Sequence, residues 1–139
     1  MEFFEDLVQT MDEPAAWEFL GRHKLGRLGF HMVEKVEVLP INYRVHGRNI
    51  YFRTAEGSKL LGILLDHDVA FEVDEWVGDQ AASVVVHGNC RELSEQIADD
   101  LRETIQPWIA VPKSHVMVIE PTSISGRHFK LESDHTGDS

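Results

Sequence analysis

Residues 36–54, with the sequence VEVLPINYRVHGRNIYFRT, decide the fold. Apolar side chains alternate along the first half, which is the period of a β-strand with one buried side. The predicted core side chains of this strand are Leu39, Ile41, Tyr43 and Val45. The glycine turn at residues 46–48 leads directly into a second strand, 49–54. Because residues 25–32 read as a further strand just upstream, the three segments form an antiparallel meander.

The rest of the chain adds strands and short helices to this meander. Further strands are predicted at 69–76, 83–93 and 115–119, with Pro121 breaking or bending the last one before 123–131 extends it. Short helices are predicted at 12–20, at 60–66 and from Ser94 to Pro107, with Ile97, Leu101 and Ile105 on one face of the last. The links in the meander are too short for parallel crossovers. The sequence therefore predicts a mainly β domain over 1–139, a six-stranded antiparallel barrel with loosely held ends at 1–11 and 133–139.

Composition excludes several classes of function. The chain has 139 residues, with 24 acidic and 13 basic side chains and a net charge of −11, which disfavours a nucleic-acid partner. No apolar run approaches the roughly 20 residues of a membrane span. A lone cysteine and the acidic start, without a secretory signal, predict a cytoplasmic protein. The eight histidines show no metal-ligand spacing, so no metal site is predicted.

The second face of the strand at 36–45 is mixed in character. Pro40 lies on this face and has no N–H to donate to a neighbouring strand. We therefore expect a sheet edge or an interrupted ladder there, which would leave backbone groups available to a ligand. An ordinary exposed edge is the alternative.

The segment RTAEGSK, residues 53–59, joins a strand end, a glycine and the start of a helix. Such a position suits an anion, because the first N–H groups of a helix lack intrahelical partners. The Ser58 hydroxyl and the cations of Arg53 and Lys59 can add charge-assisted hydrogen bonds. Alternatively, Ser58 only caps the helix and the two cations are solvated. The glycine patterns of Walker and Rossmann phosphate loops are absent.

Five blocks, in this order and spacing, closely resemble the pyridoxamine 5′-phosphate oxidase-like family. They are LGRLGF (25–30), VLPINY (38–43), IYFRTAEGSKL (50–60), VAFEVD (69–74) and SVVVHG (83–88). The resemblance covers about residues 12–131 and is strongest to the small branch that includes nitroimidazole-resistance-like proteins. It implies a split β-barrel that binds FMN at a homodimer interface, with each site built from both subunits.

The resemblance also implies which residues contact the cofactor. Val38, Pro40 and Asn42 would lie beside the flavin ring, with backbone groups near Pro40 at its polar edge. Arg53 and Thr54 would lie beside the ribityl chain and the phosphate.

Further contacts come from the loop and from the second half of the chain. Ser58 and Lys59 would hold the phosphate. Ser83 occupies the place where the vitamin oxidases carry a glutamine that contacts the ring. Trp108 and Arg127 are candidates for contributions from the partner subunit.

Two departures from the family pattern bear on function. Leu60 stands where the vitamin oxidases carry a second basic residue, and the arginine-rich C-terminal segment is reduced to GRH, residues 126–128. Pyridoxamine phosphate oxidation is therefore not predicted. We expect an FMN-dependent oxidoreductase acting on an unidentified small molecule, with no obvious catalytic acid or base. The alternatives are a flavin, deazaflavin or haem carrier or sensor without turnover, and a structural dimer with a vestigial cofactor site.

Overall fold

The computed structural model describes residues 8–32, 34–54, 68–102, 104–105 and 115–132. Within these residues there are seven strands and two helices. In chain order they are β1 (Val8–Met11), α1 (Glu13–Arg22), β2 (Leu25–Met32), β3 (Lys35–His46), β4 (Asn49–Thr54), β5 (Asp68–Val77), β6 (Gln80–Glu92), α2 (Glu95–Arg102) and β7 (His115–Lys130). Neither described helix is long and apolar enough to cross a membrane. The helix predicted at 60–66 lies outside the described residues.

The strands form a closed antiparallel ring. Their order is β1-β7-β4-β3-β2-β5-β6, and β6 pairs with β7 to close the barrel. This confirms the predicted six-stranded split barrel, to which β1 is an addition. The expectation that residues 1–11 are loosely held is wrong for Val8–Met11, which pair with Gly126–Phe129 of β7.

The split in the barrel lies beside β3. Within β3, only residues Tyr43–His46 pair with β4, whereas residues 35–42 pair with β2. Among the described residues, no strand pairs with the other side of 35–41. The predicted core face is confirmed, because Ile41 and Tyr43 are buried and their neighbours of the same face pack against them.

Helix α1 closes one end of the barrel. The Asp12 carboxylate accepts the Ala15 N–H at 2.9 Å, which caps the helix. The Tyr43 hydroxyl then donates to the Leu20 carbonyl at 2.6 Å and ties the helix to β3. Burial raises the pKa of Tyr43, so this hydroxyl keeps its proton.

Helix α2 covers a second, smaller core on the outside of β4 and β7. That core contains Leu93, Ala98, Ile105, Val116 and Val118. The predicted face is partly wrong, because Ile97 is 52% exposed and Ala98 is buried instead. The helix also ends at Arg102, so Ile105 reaches the core from the segment that follows it.

The predicted break at Pro121 is accommodated without ending the strand. Strand β7 is continuous from His115 to Lys130, and the register to β6 shifts between His87 and Gly88, opposite Pro121. The shift leaves Thr122 as the extra residue, directly after Pro121, which cannot donate to the ladder. The turn between β3 and β4 has positive φ at both Gly47 and Arg48, each 58°, which is the pattern of a type I′ hairpin turn.

Replacing Gly88 by alanine is expected to destabilise the fold by about 1–3 kcal/mol, the usual cost of overpacking. The added Cβ would overlap the carbonyl oxygen of Glu120 and lie 2.9 Å from its carbonyl carbon, both of which are backbone atoms. Denaturant unfolding measures the change. Gly21→Ala is the control, because nothing lies within 4 Å of its Cβ. This helical position should gain up to about 1 kcal/mol; equal effects at both glycines would contradict the packing argument.

Candidate functional site

The open edge of β3 holds the residues expected beside a ligand ring. The Tyr43 N–H donates to the Lys24 carbonyl at 2.9 Å, so odd-numbered residues of β3 direct their backbone groups toward β2. By alternation, the backbone groups of even-numbered residues point away from β2. Those of Arg44 and His46 face β4, whereas those of Val36, Val38 and Pro40 face the side on which no described strand pairs. Pro40 is even-numbered, so its missing N–H costs no ladder bond to β2. Within the part of the chain that the structure describes, the predicted sheet edge at Pro40 is confirmed.

Side-chain exposure along this edge increases away from the β4 pairing. Pro40 and Asn42 are half-buried, whereas Val38 is 64% exposed. Because β4 is antiparallel to β3, its end at Thr54 lies near Asn42. The structure therefore places the part of β3 predicted to lie beside the flavin ring close to the end of β4 predicted to lie beside the phosphate.

The side chain of Arg53 is anchored at this junction. Its Nη1 donates to the Ile105 carbonyl at 3.0 Å, and Arg44 Nε donates to the Thr104 carbonyl at 3.3 Å. The two guanidinium groups place positive charge beside carbonyl groups that follow α2, where cations are favoured. Thr54, on the opposite face, is buried and pairs with His115 of β7. The cation predicted to meet a phosphate is thus held at the end of β4.

Three predicted contact residues lie outside the described residues: Ser58, Lys59 and Trp108. Two others, Ser83 and Arg127, are direct partners across β6 and β7. One chain does not bring this pair to the edge of β3. Ser83 on β6 is three strands away in either direction around the barrel, and Arg127 lies on β7 beyond residues 115–119, which pair with β4. Strands are spaced by about 4.8 Å, which puts Ser83 about 14 Å from β3 along the sheet.

Comparison with known proteins identifies the family. The profile of the family described as pyridoxamine 5′-phosphate oxidase matches residues 12–128, which is most of the chain and nearly the whole barrel. The chain belongs to this family.

Solved structures of family-like proteins share the barrel. A Corynebacterium glutamicum protein, provisionally described as a pyridoxamine 5′-phosphate oxidase, is 35% identical, with a TM-score of 0.81 and coverage of 92% of this chain and 97% of the other. The FAD binding protein of Mycobacterium smegmatis is 32% identical, with a TM-score of 0.78 and coverage of 89% and 100%. A protein of Bacteroides thetaiotaomicron, provisionally assigned to 5-nitroimidazole antibiotic resistance, shares the fold at 15% identity and a TM-score of 0.70, with coverage of 91% and 90%.

Sequence reasoning missed a charged cluster on the outer face of this family barrel. Arg27 Nη1 contacts Glu72 Oε1 at 2.7 Å and Asp74 Oδ2 at 3.0 Å. Arg27 is also the β2 partner of Pro40, so the cluster lies one strand away from the open edge. Burial, and secondarily the hydrogen bond and charge of Asp74, raise the pKa of Glu72 to about 7 against the opposing effect of Arg27. A carboxyl group of this kind can hold a proton near neutral pH.

The raised pKa of Glu72 predicts how stability depends on pH. Above its ordinary pKa of 4.5, the unfolded chain releases this proton more readily than the folded one, so ionisation costs stability as the pH rises toward 7. Glu72→Gln should therefore raise the melting temperature at pH 8 and change it little at pH 5. Glu120→Gln is the control, because Arg91 lowers the pKa of Glu120. A gain from both variants at pH 8 would contradict this account.

A second missed feature lies beside Thr54. His115, its partner on β7, has Nδ1 2.5 Å from Glu92 Oε2. This contact fixes the orientation of the imidazole next to the end of β4. No local signal in the sequence links these two residues, which are 23 positions apart.

A metal centre has no candidate ligand set in the described part of the chain. No three His, Cys, Asp or Glu side chains are placed there to hold a metal ion. Cys90 is buried in the barrel, and burial raises the pKa of its thiol to about 12. The thiolate that would act as a nucleophile or ligand is therefore disfavoured.

Proposed function

We propose that the protein binds a flavin at the open edge of β3 and acts as an oxidoreductase on a small molecule. The single observation that carries the proposal is the edge of β3 at Pro40, with which no described strand pairs, next to an anchored arginine at the end of β4. Family membership and the similarity to the FAD binding protein of M. smegmatis support it.

The residues at this edge fit the chemistry of a flavin. The polar side of the ring system carries both donors and acceptors, which the N–H and carbonyl groups of Val38 can match in the manner of a strand. The Arg53 guanidinium supplies positive charge for a phosphate. When bound, the flavin supplies electron and hydride transfer; the chain positions it and keeps water away from one face.

The substrate of the proposed reaction is a small molecule without a required phosphate. The sequence lacks the second basic residue after Lys59 and the arginine-rich C-terminal segment that holds pyridoxamine phosphate in the vitamin oxidases. A phosphate on the substrate would therefore lack those two anchors.

Two forms of flavin are candidates. The short loop 53–59, with one serine and two cations, favours FMN, which ends in one phosphate. The similarity to the FAD binding protein of M. smegmatis favours FAD. The absence of a dinucleotide glycine fingerprint does not decide between them, because that fingerprint belongs to parallel α/β sheets and this protein is an antiparallel barrel.

We further propose that two copies form the complete site. Val36 and Val38 are 69% and 64% exposed on the outer face beside the open edge, and a two-fold partner would cover them. Residues that one chain holds far from β3, Ser83 and Arg127, would then reach the ring from the partner. Light scattering should give about twice the chain mass of 15.8 kDa. A monomer at micromolar concentration would remove the shared site.

Fluorescence titration with FMN, FAD and riboflavin tests the proposed cofactor. We expect saturable binding of FMN or FAD, and weaker binding of riboflavin, which has no phosphate. A preference of at least tenfold, or about 1.4 kcal/mol, identifies the form of the cofactor. Tighter binding of a deazaflavin or haem would support the carrier alternative, and binding of none would leave a structural dimer.

A further inference from the structure

A cavity of about 420 Å³ opens beside the middle of β7, between β1 and β4. Strand β4 pairs with residues 115–119 of β7, and β1 pairs with 126–129, so neither covers 120–125 on that side. The cavity is lined by Glu13, Trp17, Arg48, Asn49, Pro121, Thr122, Ser123 and Ile124. Its volume is within the range of small-molecule sites. None of these residues belongs to the proposed flavin site.

One residue that lines the cavity, Trp17, carries an unsatisfied polar atom. Trp17 is 9% exposed, and its Nε1 is the buried side-chain polar atom without a hydrogen-bond partner among the described residues. Buried indole N–H groups normally have an acceptor, and leaving one without a partner costs about 1–3 kcal/mol. The Trp17 indole N–H therefore lacks an acceptor.

The rim carries a cation that is held over the cavity. Arg48 has a φ of 58°, which is uncommon for a residue with a side chain, and it lies in the β3–β4 turn. Its Nη1 contacts Glu13 Oε1 at 3.1 Å, and the two side chains are 60% and 58% exposed. An exposed ion pair is worth about 0–1 kcal/mol, so a ligand can displace Glu13 at little cost.

Once the Glu13 carboxylate is displaced, the donor-only groups of the lining are Arg48 and Trp17, beside Asn49 and Ser123, which both donate and accept. The Thr122 hydroxyl already donates to the His87 carbonyl at 3.1 Å, while the N–H groups of Trp17 and Arg48 are donors only. Pro121, Ile124 and the indole ring supply apolar walls. A matching ligand has a flat apolar body and an acceptor-only anionic group.

We propose that this cavity binds a small aromatic carboxylate. The carboxylate pairs with Arg48 in place of Glu13, and the ring packs against Trp17. Because the indole N–H is closed to solvent, binding also shifts the wall enough to bring an acceptor to it. The site works independently of the flavin.

Nuclear magnetic resonance of the three tryptophan indole N–H groups tests the proposal on the protein as purified. Trp17→Phe assigns its signal by removing it. Titration with benzoate should move the Trp17 proton downfield in a saturable manner, whereas Trp76, which is 69% exposed, should not respond. Benzamide, of the same shape but uncharged, should bind at least about tenfold more weakly. The proposal is overturned if the Trp17 signal shows no saturable shift, which is the result expected if a water molecule already accepts from this N–H. Equal binding of benzoate and benzamide also overturns it.

Charge variants keep the test decisive if Trp17→Phe does not fold. Arg48→Gln should raise the dissociation constant for benzoate at least about tenfold. Arg22→Gln is the matched control. Arg22 lies on the same helix as Glu13, is 57% exposed, and forms an ion pair with Glu75 of β5. Glu13→Gln should tighten benzoate binding by removing the competing carboxylate. No effect of Arg48→Gln, or weaker binding after Glu13→Gln, overturns the assignment. A protein that binds benzoate but no flavin would contradict only the proposed function.

Discussion

Lys59→Ala is expected to weaken FMN binding at least about tenfold and to leave riboflavin binding nearly unchanged. The two ligands differ by the phosphate, and Lys59 follows the end of β4 by five residues in the proposed phosphate loop. A hydrogen bond to a charged group contributes about 1.5–3 kcal/mol, which accounts for the expected loss. Fluorescence titration of both ligands measures it.

Two further variants control the Lys59 result. Ser58→Ala should also act selectively on FMN, but Ser58 is in addition the cap that the sequence predicts for a helix, and losing a cap costs about 1 kcal/mol of stability. Lys130→Ala removes an exposed lysine, paired with Asp79 at 3.7 Å, and should change neither affinity. If Lys59→Ala weakens FMN and riboflavin equally, or affects neither, the loop is not the phosphate site.

Val38→Asp is expected to dissociate the proposed dimer and to reduce flavin affinity with it. Val38 is 64% exposed, so the change leaves the barrel core intact. In a two-fold interface it buries two unpaired carboxylates, which costs several kcal/mol and raises the dimer dissociation constant at least about a hundredfold. Sedimentation and FMN titration follow the two effects.

Val77→Asp provides the matched control for the dimer. Val77 is 74% exposed at the end of β5, away from the open edge. This variant should remain a dimer with unchanged flavin affinity. If Val38→Asp keeps both the dimer and the flavin, the outer face beside β3 is not the interface.

The local pattern of the sequence predicted the centre of the fold well. Alternation in β3 placed Ile41 and Tyr43 in the core because one face of that strand is buried. Pro40 marked the sheet edge because a residue without an N–H is tolerated where no partner strand needs one. Both signals are contained within a few residues.

Features that depend on distant pairing could not be predicted in the same way. Strand β1 has four residues with little alternation, and its pairing partners begin at Gly126, more than a hundred positions away. The meeting of Arg27 with Glu72 depends on the register between β2 and β5. The separation of Ser83 from the edge of β3 likewise follows only from the strand order of the closed barrel.

The visible absorption spectrum of the purified protein, recorded before and after adding FMN or FAD, tests the central claim most directly. Bound oxidised flavin should give a band near about 450 nm that stays with the protein through gel filtration. A sharp Soret band would contradict the account by identifying haem, and a protein that remains colourless after incubation with both flavins would contradict flavin binding altogether.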